Sequence, residues 1–170
     1  IEKEHMHALI RRIEGFTGVR VLTYAIMTNH VHLLLEEPDR DTVISDEEFN
    51  RRMTCLYSEA ELVDLKERWA MWDAASVEAD KRRYLVRMHD ISEFMKQLKQ
   101  RFSRWYNQRN QRSGALWDTR FKSVLVQPGL PLRTVAAYIE MNPVRAGMEK
   151  SPHFYRYCGF GEAIGGNSKA

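Results

Sequence analysis

The sequence contains only two cysteines, Cys55 and Cys158, and no long run of apolar residues. The two cysteines match neither a zinc-binding pattern nor a disulfide framework, and they indicate a reducing compartment. The apolar runs are much shorter than the roughly 20 residues that a transmembrane helix requires. The sequence therefore argues against a disulfide-rich domain, and we expect no membrane partner.

The remaining composition is that of a folded domain. Aromatic residues make up 11% of the chain, with four tryptophans, which argues against disorder. A length of 170 residues is sufficient to bury a substantial core. We therefore predict one domain over residues 1–170.

The net charge of +3 conceals two blocks of opposite sign. Residues 36–80 contain fourteen acidic and five basic residues, whereas residues 81–122 contain twelve basic and three acidic residues. A helical pattern at about 39–90 opens with a Ser45–Glu48 capping box, and we interpret it as an acidic helical insertion. The basic block is interleaved with aromatic residues, which favours a polyanionic partner.

Hydrophobic periodicity predicts the elements around this insertion. They are a helix over 2–14 ended by Gly15 and Gly18, strands over 20–27 and 30–35 in a hairpin, a helix over 91–110, a short strand over 123–127, and a helix over 132–141 ended by Pro143. The tail from Pro152 is interpreted as a packing strap, with a frayed glycine-rich end at 159–166. The predicted fold class is α+β.

Two histidines stand at the start of the second hairpin strand, separated by Val31. Side chains alternate across a strand, so His30 and His32 point to the same face, with Cα atoms roughly 6.5 Å apart. This spacing allows both imidazoles to bind one divalent cation. The alternative is that they bond to nearby carbonyl groups. His5 and His7 lie on a helix, where a two-residue step separates side chains by about 200°, so they cannot share a metal.

The basic helix and the loop after it carry the candidate nucleic-acid-binding residues. A tryptophan ring can stack on a base, and basic side chains neutralise phosphates. The candidates are Lys99, Arg104, Arg109, Arg112, Trp117, Arg120 and Lys122. For Trp117 and Phe121 the alternative is that their rings pack in the core.

Three motifs in order resemble those of the single-tyrosine HUH transposases, and above all their REP-associated (RAYT) branch. They are NHVHL at Asn29–Leu33, GALWDTRFKS at Gly114–Ser123 and YIEMNPVRAG at Tyr138–Gly147. The resemblance extends from about Val19 to Gly147, apart from the insertion. It implies that His30 and His32 bind a metal, that Tyr138 is the nucleophile and that Asn142 completes the metal site.

The resemblance also implies an activity. Family members cleave and rejoin single-stranded DNA beside hairpins, with Mg²⁺ or Mn²⁺, through a 5′-phosphotyrosine intermediate. It implies a bacterial cytoplasmic protein associated with the nucleoid. Many relatives are homodimers in which each tyrosine serves the partner's histidines, and the sequence leaves this open. Tyr106, on the basic helix, is a rival nucleophile, but Tyr138 matches the family position and has Asn142 four residues later.

The fold that the resemblance implies is a ferredoxin-like antiparallel sheet with helices on one face, and the acidic insertion follows the histidine strand. In the family, a first strand pairs beside the histidine strand. This chain starts at Ile1 in the first helix, so we expect the sheet to lack that strand unless upstream residues or a partner supply it.

Three other functions remain open at this point. The chain could be a hairpin DNA- or RNA-binding protein that has lost the chemistry of such a transposase. It could be a metal-dependent nuclease that uses activated water and leaves no covalent adduct. It could be a structural protein, which predicts neither metal binding nor salt-dependent DNA affinity.

Overall fold

The computed structural model describes residues 1–39 and 41–165. Its elements are α1 (Glu2–Thr17), β1 (Arg20–Ile26), β2 (Val31–Glu36), α2 (Asp46–Leu56), α3 (Glu59–Ala70), α4 (Ala74–Leu85), α5 (Ile91–Arg109), α6 (Leu130–Arg145), a 3₁₀ turn (Pro152–Phe154) and α7 (Gly159–Ile164). The predicted α+β class is confirmed: a two-stranded antiparallel sheet is combined with helices, consistent with a ferredoxin-like arrangement. No helix in these ranges is long and apolar enough to span a bilayer.

The chain divides into two compact units. The first, which we call the site unit, comprises Ile1–Ala8, Val21–Glu36 and Phe102–Ala170. The second, the helical unit, comprises Leu9–Arg20 and Glu37–Arg101. The predicted insertion at about 39–90 is helical and contributes α2, α3 and α4 to the helical unit. One domain over the whole chain stays a prediction.

The predicted hairpin forms part of the site unit. β1 and β2 pair with each other, and the Met27 N–H donates to the His30 carbonyl at 2.9 Å, which closes the turn. The tail reaches β1 as well, through an isolated antiparallel bridge between Ala25 and Cys158. Since the tail bonds to the strand in this way, it is the packing strap that the sequence predicted.

The glycine-rich end of the chain is more regular than predicted. A short helix, α7, forms where the sequence predicted fraying from residue 159. Gly161 is buried there, and a Cβ on it would lie 2.1 Å from the Tyr155 carbonyl oxygen. This glycine therefore permits close packing. Gly166, the last residue of the predicted frayed end, lies outside the described residues, as do residues 167–170 and Arg40 in the insertion.

The predicted strand at 123–127 is absent. This segment has no regular secondary structure, and Val124 and Leu125 are 87% and 101% exposed. Val126 packs against the core of the site unit. A strand requires a neighbour with which to exchange backbone hydrogen bonds. No strand within residues 1–39 and 41–165 pairs with this segment, so its β-branched composition was not sufficient.

In β2, the one buried residue, Leu34, lies on the face that carries the histidines. Leu34 lies on the same side of the strand as His32, is 6% exposed and belongs to a core cluster with Ile139 of α6. The three apolar residues of the opposite face are half-buried: Val31, Leu33 and Leu35. The hairpin therefore meets α6 through its histidine face.

α1 extends further than predicted because Gly15 does not end it. The apolar residues of one face of the helix are buried: Leu9, Ile10 and Ile13. A Cβ on Gly15 would lie 2.7 Å from the Cys55 Sγ atom, so this glycine allows α2 to pack closely. The helix ends at Thr17, before Gly18, whose φ of 73° is the left-handed conformation that glycine adopts readily.

α2 begins at the predicted N-cap. The Ser45 hydroxyl accepts a hydrogen bond from the Glu48 N–H at 3.2 Å. The Glu48 carboxylate accepts from Arg51 and Arg52 at 2.7 and 2.6 Å, and the reciprocal bond of a capping box is not formed here. The hydrogen bonds from the two arginines lower the pKa of Glu48 to about 2.

Candidate active site

His30 and His32 bring their ring nitrogens together at the start of β2. His30 precedes the strand and His32 is its second residue. Their Nε2 atoms are 3.1 Å apart, and the rings meet edge to face. Asn29 Oδ1 lies 2.8 Å from His30 Nδ1. Because an amide oxygen only accepts, His30 Nδ1 donates to it, and in the neutral imidazole the lone pair then lies on Nε2.

The two imidazoles differ in exposure. His30 is exposed, whereas His32 is half-buried. Burial lowers the pKa of the His32 imidazole, and the neighbouring charge of His30 lowers it further. His32 is therefore mostly neutral at physiological pH, and the neutral imidazole is the form that binds a metal.

The spacing of the two imidazoles fits neighbouring positions on an octahedral cation. Around Mg²⁺, with bonds of about 2.1 Å, two adjacent ligand atoms lie about 3 Å apart, and the two Nε2 atoms are separated by 3.1 Å. In the described part of the chain, no group of three or more His, Cys, Asp or Glu side chains is placed to hold a metal ion. A third protein ligand would therefore be another residue type, such as the predicted Asn142 amide.

Tyr138 projects from α6 beside His32. The two rings stand edge-on with centroids 6.3 Å apart, and Tyr138 is 47% exposed. The next two residues hold the helix against the hairpin: Ile139 is buried in the core, and the Thr23 hydroxyl donates to Glu140 Oε1 at 2.8 Å. The phenol is thus accessible to solvent and next to a histidine of its own chain.

Asn142 lies one turn after Tyr138, and α6 continues past it to Arg145. The sequence predicted that Pro143 ends this helix, because its ring nitrogen cannot donate to the Ile139 carbonyl. Instead, Asn142 Nδ2 lies 3.4 Å from that carbonyl oxygen and donates to the Tyr138 carbonyl at 2.9 Å. The side-chain amide thus supports the helix where the proline lacks an N–H. Since Nδ2 bonds to the backbone, Oδ1 is the atom left for a metal.

Arg145 was not among the site residues predicted from the sequence. Its guanidinium carbon lies 4.8 Å from the centroid of the Tyr138 ring, and the side chain is exposed. The two residues are seven positions apart, which is close to two helical turns, so they share one face of α6. This spacing within the third motif is the sequence signal that could have identified Arg145.

Tyr106, the rival nucleophile, has different neighbours. Its ring lies 6.1 Å from the Phe102 ring, and the Arg112 guanidinium lies 5.8 Å from its centroid. Among the described residues, Tyr138 is the tyrosine whose ring contacts that of His32. The geometry therefore favours Tyr138 over Tyr106.

Trp117 packs against α5, with its ring centroid 5.9 Å from that of Phe102. Trp117 and Phe121 are both half-buried, so packing accounts for part of each ring. Asn107 Nδ2 donates to the Gly114 carbonyl at 2.9 Å and ties the loop to the helix. Stacking of Trp117 on a base stays a prediction.

The predicted basic residues of the site unit all have exposed side chains. They are Arg104, Arg109, Arg112, Arg120 and Lys122. Two of these guanidiniums also lie over aromatic rings of α5: Arg109 over Trp105 and Arg112 over Tyr106, each at 5.8 Å from the centroid. Lys99 is half-buried and lies on α5 within the helical unit.

One comparison with known proteins gives a match. A family model described as transposase, IS200-like, matches residues 71–142. The matched range contains Tyr138 and Asn142 and ends before Arg145, and the two histidines lie outside it. No curated protein and no solved structure matches the chain.

Proposed function

We propose that this chain, whose family match supports a transposase of the IS200 type, cleaves and rejoins single-stranded DNA through Tyr138. One observation carries the proposal: the Tyr138 ring lies 6.3 Å from the His32 ring, and a second imidazole nitrogen lies 3.1 Å from that of His32. The three sequence motifs further lead us to propose the REP-associated branch of the family.

His30, His32 and Asn142 are the residues that would hold Mg²⁺ or Mn²⁺. Such a cation supplies positive charge that polarises the scissile phosphate and stabilises the transition state. The chain prepares for it in three ways. Asn29 holds His30 in the tautomer whose Nε2 is free to coordinate, and burial keeps His32 neutral. The α6 backbone holds the Asn142 amide nitrogen, which leaves its oxygen as the ligand.

Tyr138 performs the covalent step. Its phenol oxygen attacks phosphorus in line with the 3′ oxygen that leaves. A bond forms between the tyrosine oxygen and phosphorus, and the bond from phosphorus to the 3′ oxygen breaks. The phenol proton passes to solvent, and the leaving oxygen takes up a proton. The products are a 5′-phosphotyrosine link and a free 3′-hydroxyl.

The same chemistry run in reverse rejoins strands. A 3′-hydroxyl attacks the phosphotyrosine and releases Tyr138, so one phosphate ester replaces another and no ATP is required. The accessible phenol is consistent with two strands using the site in turn. We propose that cleavage followed by rejoining to a different 3′ end moves a DNA segment, and that the protein acts on nucleoid DNA in the bacterial cytoplasm.

The DNA partner is proposed to be a single strand beside a hairpin. The exposed basic residues of α5 and of the loop after it neutralise the phosphates, so binding should weaken steeply as salt rises. Trp117 and Phe121 present partly exposed rings to unpaired bases. Lys99 is proposed as a further phosphate contact.

We propose that a single chain holds a complete site, because Tyr138 lies beside His32 of its own chain. A homodimer that exchanges tyrosines is the alternative. Mixing Tyr138→Phe protein with His32→Ala protein separates the two. A one-chain site gives no DNA adduct from the mixture, whereas exchange restores it, because one hybrid site then combines an intact tyrosine with intact histidines.

The proposed function is tested with labelled single-stranded hairpin DNA, Mn²⁺ and a denaturing gel. We expect a protein–DNA adduct with the parent and with the matched control Tyr106→Phe, and none with Tyr138→Phe. Cleavage without an adduct, unchanged in Tyr138→Phe, would indicate a nuclease that uses water. Salt-sensitive binding without cleavage would indicate a hairpin-binding protein without chemistry.

A further inference from the structure

Arg145 holds a free positive charge beside the proposed nucleophile. Its guanidinium carbon lies 4.8 Å from the centre of the Tyr138 ring, and its side chain is exposed. Arg156 of the same unit, by contrast, is paired with the Glu4 carboxylate. Within the described ranges, no carboxylate forms an ion pair with Arg145, whose guanidinium lies over the Tyr138 ring. A charge placed in this way is available to an anion.

The surrounding helix leaves that charge uncancelled. Glu140 is the one acidic residue of α6, and its carboxylate accepts a hydrogen bond from Thr23 on β1. A difference of seven residues places Arg145 within about 20° of Tyr138 around the helix axis. Asn142 lies between them along the helix, one turn after Tyr138. The phenol, the amide and the guanidinium therefore follow one another along one face of α6.

We propose that Arg145 is a further catalytic residue, which donates hydrogen bonds to a non-bridging oxygen of the phosphate that Tyr138 attacks. This inference rests on the proposed function. In phosphoryl transfer the negative charge is spread over the equatorial oxygens, and positive groups aimed at them stabilise the transition state. A phosphate in position for attack lies about 3–3.5 Å from the phenol oxygen, and a guanidinium over the same ring is close to that place.

The chemistry of arginine suits this position better than that of lysine. The planar guanidinium stacks on an aromatic face and still directs N–H donors outward from its edge, where they can pair with two phosphate oxygens. A lysine ammonium would keep the charge but lose both the stacking and the forked donors. Lysine should therefore restore only part of the function.

Three variants test the role of Arg145 in full-length protein with hairpin DNA and Mn²⁺. They are Arg145→Ala, Arg145→Lys and the control Arg133→Ala, which removes an exposed arginine of α6 about 140° around the axis from Tyr138. The rate of adduct formation is measured in a single turnover at saturating DNA, and the DNA dissociation constant is measured separately. Thermal unfolding checks that each variant is folded.

We expect Arg145→Ala to lower the saturated rate by about 100-fold, the loss typical of one preorganised donor, with a dissociation constant within about threefold of the parent. Arg145→Lys should recover about a tenth of the parent rate, and Arg133→Ala should match the parent. A saturated rate for Arg145→Ala within threefold of the parent would overturn the proposal. So would a loss confined to DNA affinity, which identifies a general backbone contact.

A modified substrate gives a second measurement. A methylphosphonate at the cleavage position removes one charged non-bridging oxygen. The two stereoisomers of this substrate lack different non-bridging oxygens. If Arg145 contacts one of them, Arg145→Ala should hardly change the rate of adduct formation on the isomer that lacks that oxygen. Equal effects of the substitution on the normal DNA and on both isomers would refute the contact. If the parent forms no adduct on the unmodified DNA, the proposed function itself is refuted. If adduct formation does not depend on Arg145, only this inference is refuted.

Discussion

The ring of Tyr138 stands edge-on to the ring of His32, with 6.3 Å between their centroids, and both residues belong to one chain. They extend from α6 and β2, whose buried residues Ile139 and Leu34 lie in one core cluster. The relative position of the tyrosine and the histidine is therefore set by the core beneath them. Substitutions at the surface should change the chemistry more than the fold.

The first prediction concerns metal binding. His32→Ala removes one of the two imidazoles, and we expect it to weaken Mn²⁺ binding by at least about tenfold, the loss typical even for a residue that only orients a ligand. Free Mn²⁺ in a titration is measured by its electron paramagnetic resonance signal. His153→Ala, which removes an exposed histidine of the 3₁₀ turn, is the control. Equal Mn²⁺ affinity in both variants would show that His32 is not a ligand.

The second prediction concerns the pairing of Asn142 with Pro143. Asn142→Ala removes the amide donor near the Ile139 carbonyl and should lower the free energy of unfolding by about 1 kcal/mol. Pro143→Ala supplies a backbone N–H for that carbonyl, so Asn142→Ala should lower the free energy of unfolding by less in a Pro143→Ala background.

A double-mutant cycle with urea unfolding measures this coupling, and we expect about 0.5–1 kcal/mol. Pro143→Ala by itself controls for the loss of its buried ring. Strict additivity of the two substitutions would contradict the role of the Asn142 amide in the helix. The cycle also separates stability from metal binding. Asn142→Ala should weaken Mn²⁺ binding, and adding Pro143→Ala should not restore that affinity.

The third prediction concerns the pH dependence of stability. Hydrogen bonds from Arg51 and Arg52 lower the pKa of Glu48 from 4.5 to about 2 in the folded protein. The ionised carboxylate therefore stabilises the fold above about pH 4.5, and this contribution is lost as pH falls through about 2. Glu48→Gln should lower the free energy of unfolding by about 1 kcal/mol at pH 7, a value reduced for the partial exposure of the pair.

The difference between Glu48→Gln and the parent should disappear near pH 2. Urea unfolding at pH 7, 4 and 2.5 provides the measurement. Glu47→Gln is the control, because Glu47 lies in the same first turn of α2 and has no ion pair among the described residues. A difference for Glu48→Gln that stays constant across this range would contradict the assignment.

The fourth prediction concerns the close approach of α1 and α2. Alanine is favoured over glycine inside a helix by about 1 kcal/mol, but a Cβ on Gly15 would lie 2.7 Å from Cys55 Sγ. Overpacking of this kind costs about 1–3 kcal/mol, so Gly15→Ala should destabilise the protein in thermal unfolding. Adding Cys55→Ala removes the sulfur and should recover most of the loss. Stabilisation by Gly15→Ala alone would show that the helices separate easily.

Local patterns in the sequence were sufficient for much of the fold. The apolar spacing in α1 and α5 and the alternation in the hairpin depend on residues a few positions apart, and the structure contains all of these elements. Two errors came from reading glycine and proline as breaks wherever they occur. Gly15 lies inside α1 because α2 needs its space, and Pro143 lies inside α6 because the Asn142 amide reaches the unpaired carbonyl.

The segment at 123–127 shows the limit of local information. Its β-branched residues favour an extended backbone, but strand formation depends on a neighbouring strand from elsewhere in the chain. Val124 and Leu125 accordingly remain exposed. The same limit explains the face of β2. The alternation of side chains distinguishes the two faces of the strand, whereas the packing of α6 decides that Leu34, on the histidine face, is the buried residue.

For the candidate site, the motifs identified the residue types and their order: a histidine pair, a tyrosine, and an asparagine one turn later. His30 and His32 are close in sequence, so their convergence could be predicted from strand geometry. Tyr138 and His32 are distant in sequence, and their contact depends on α6 packing against β2. Arg145 lies beside Tyr138 because α6 continues past Pro143, so the seven-residue spacing in the motif acquires its meaning only from the helix in the folded protein.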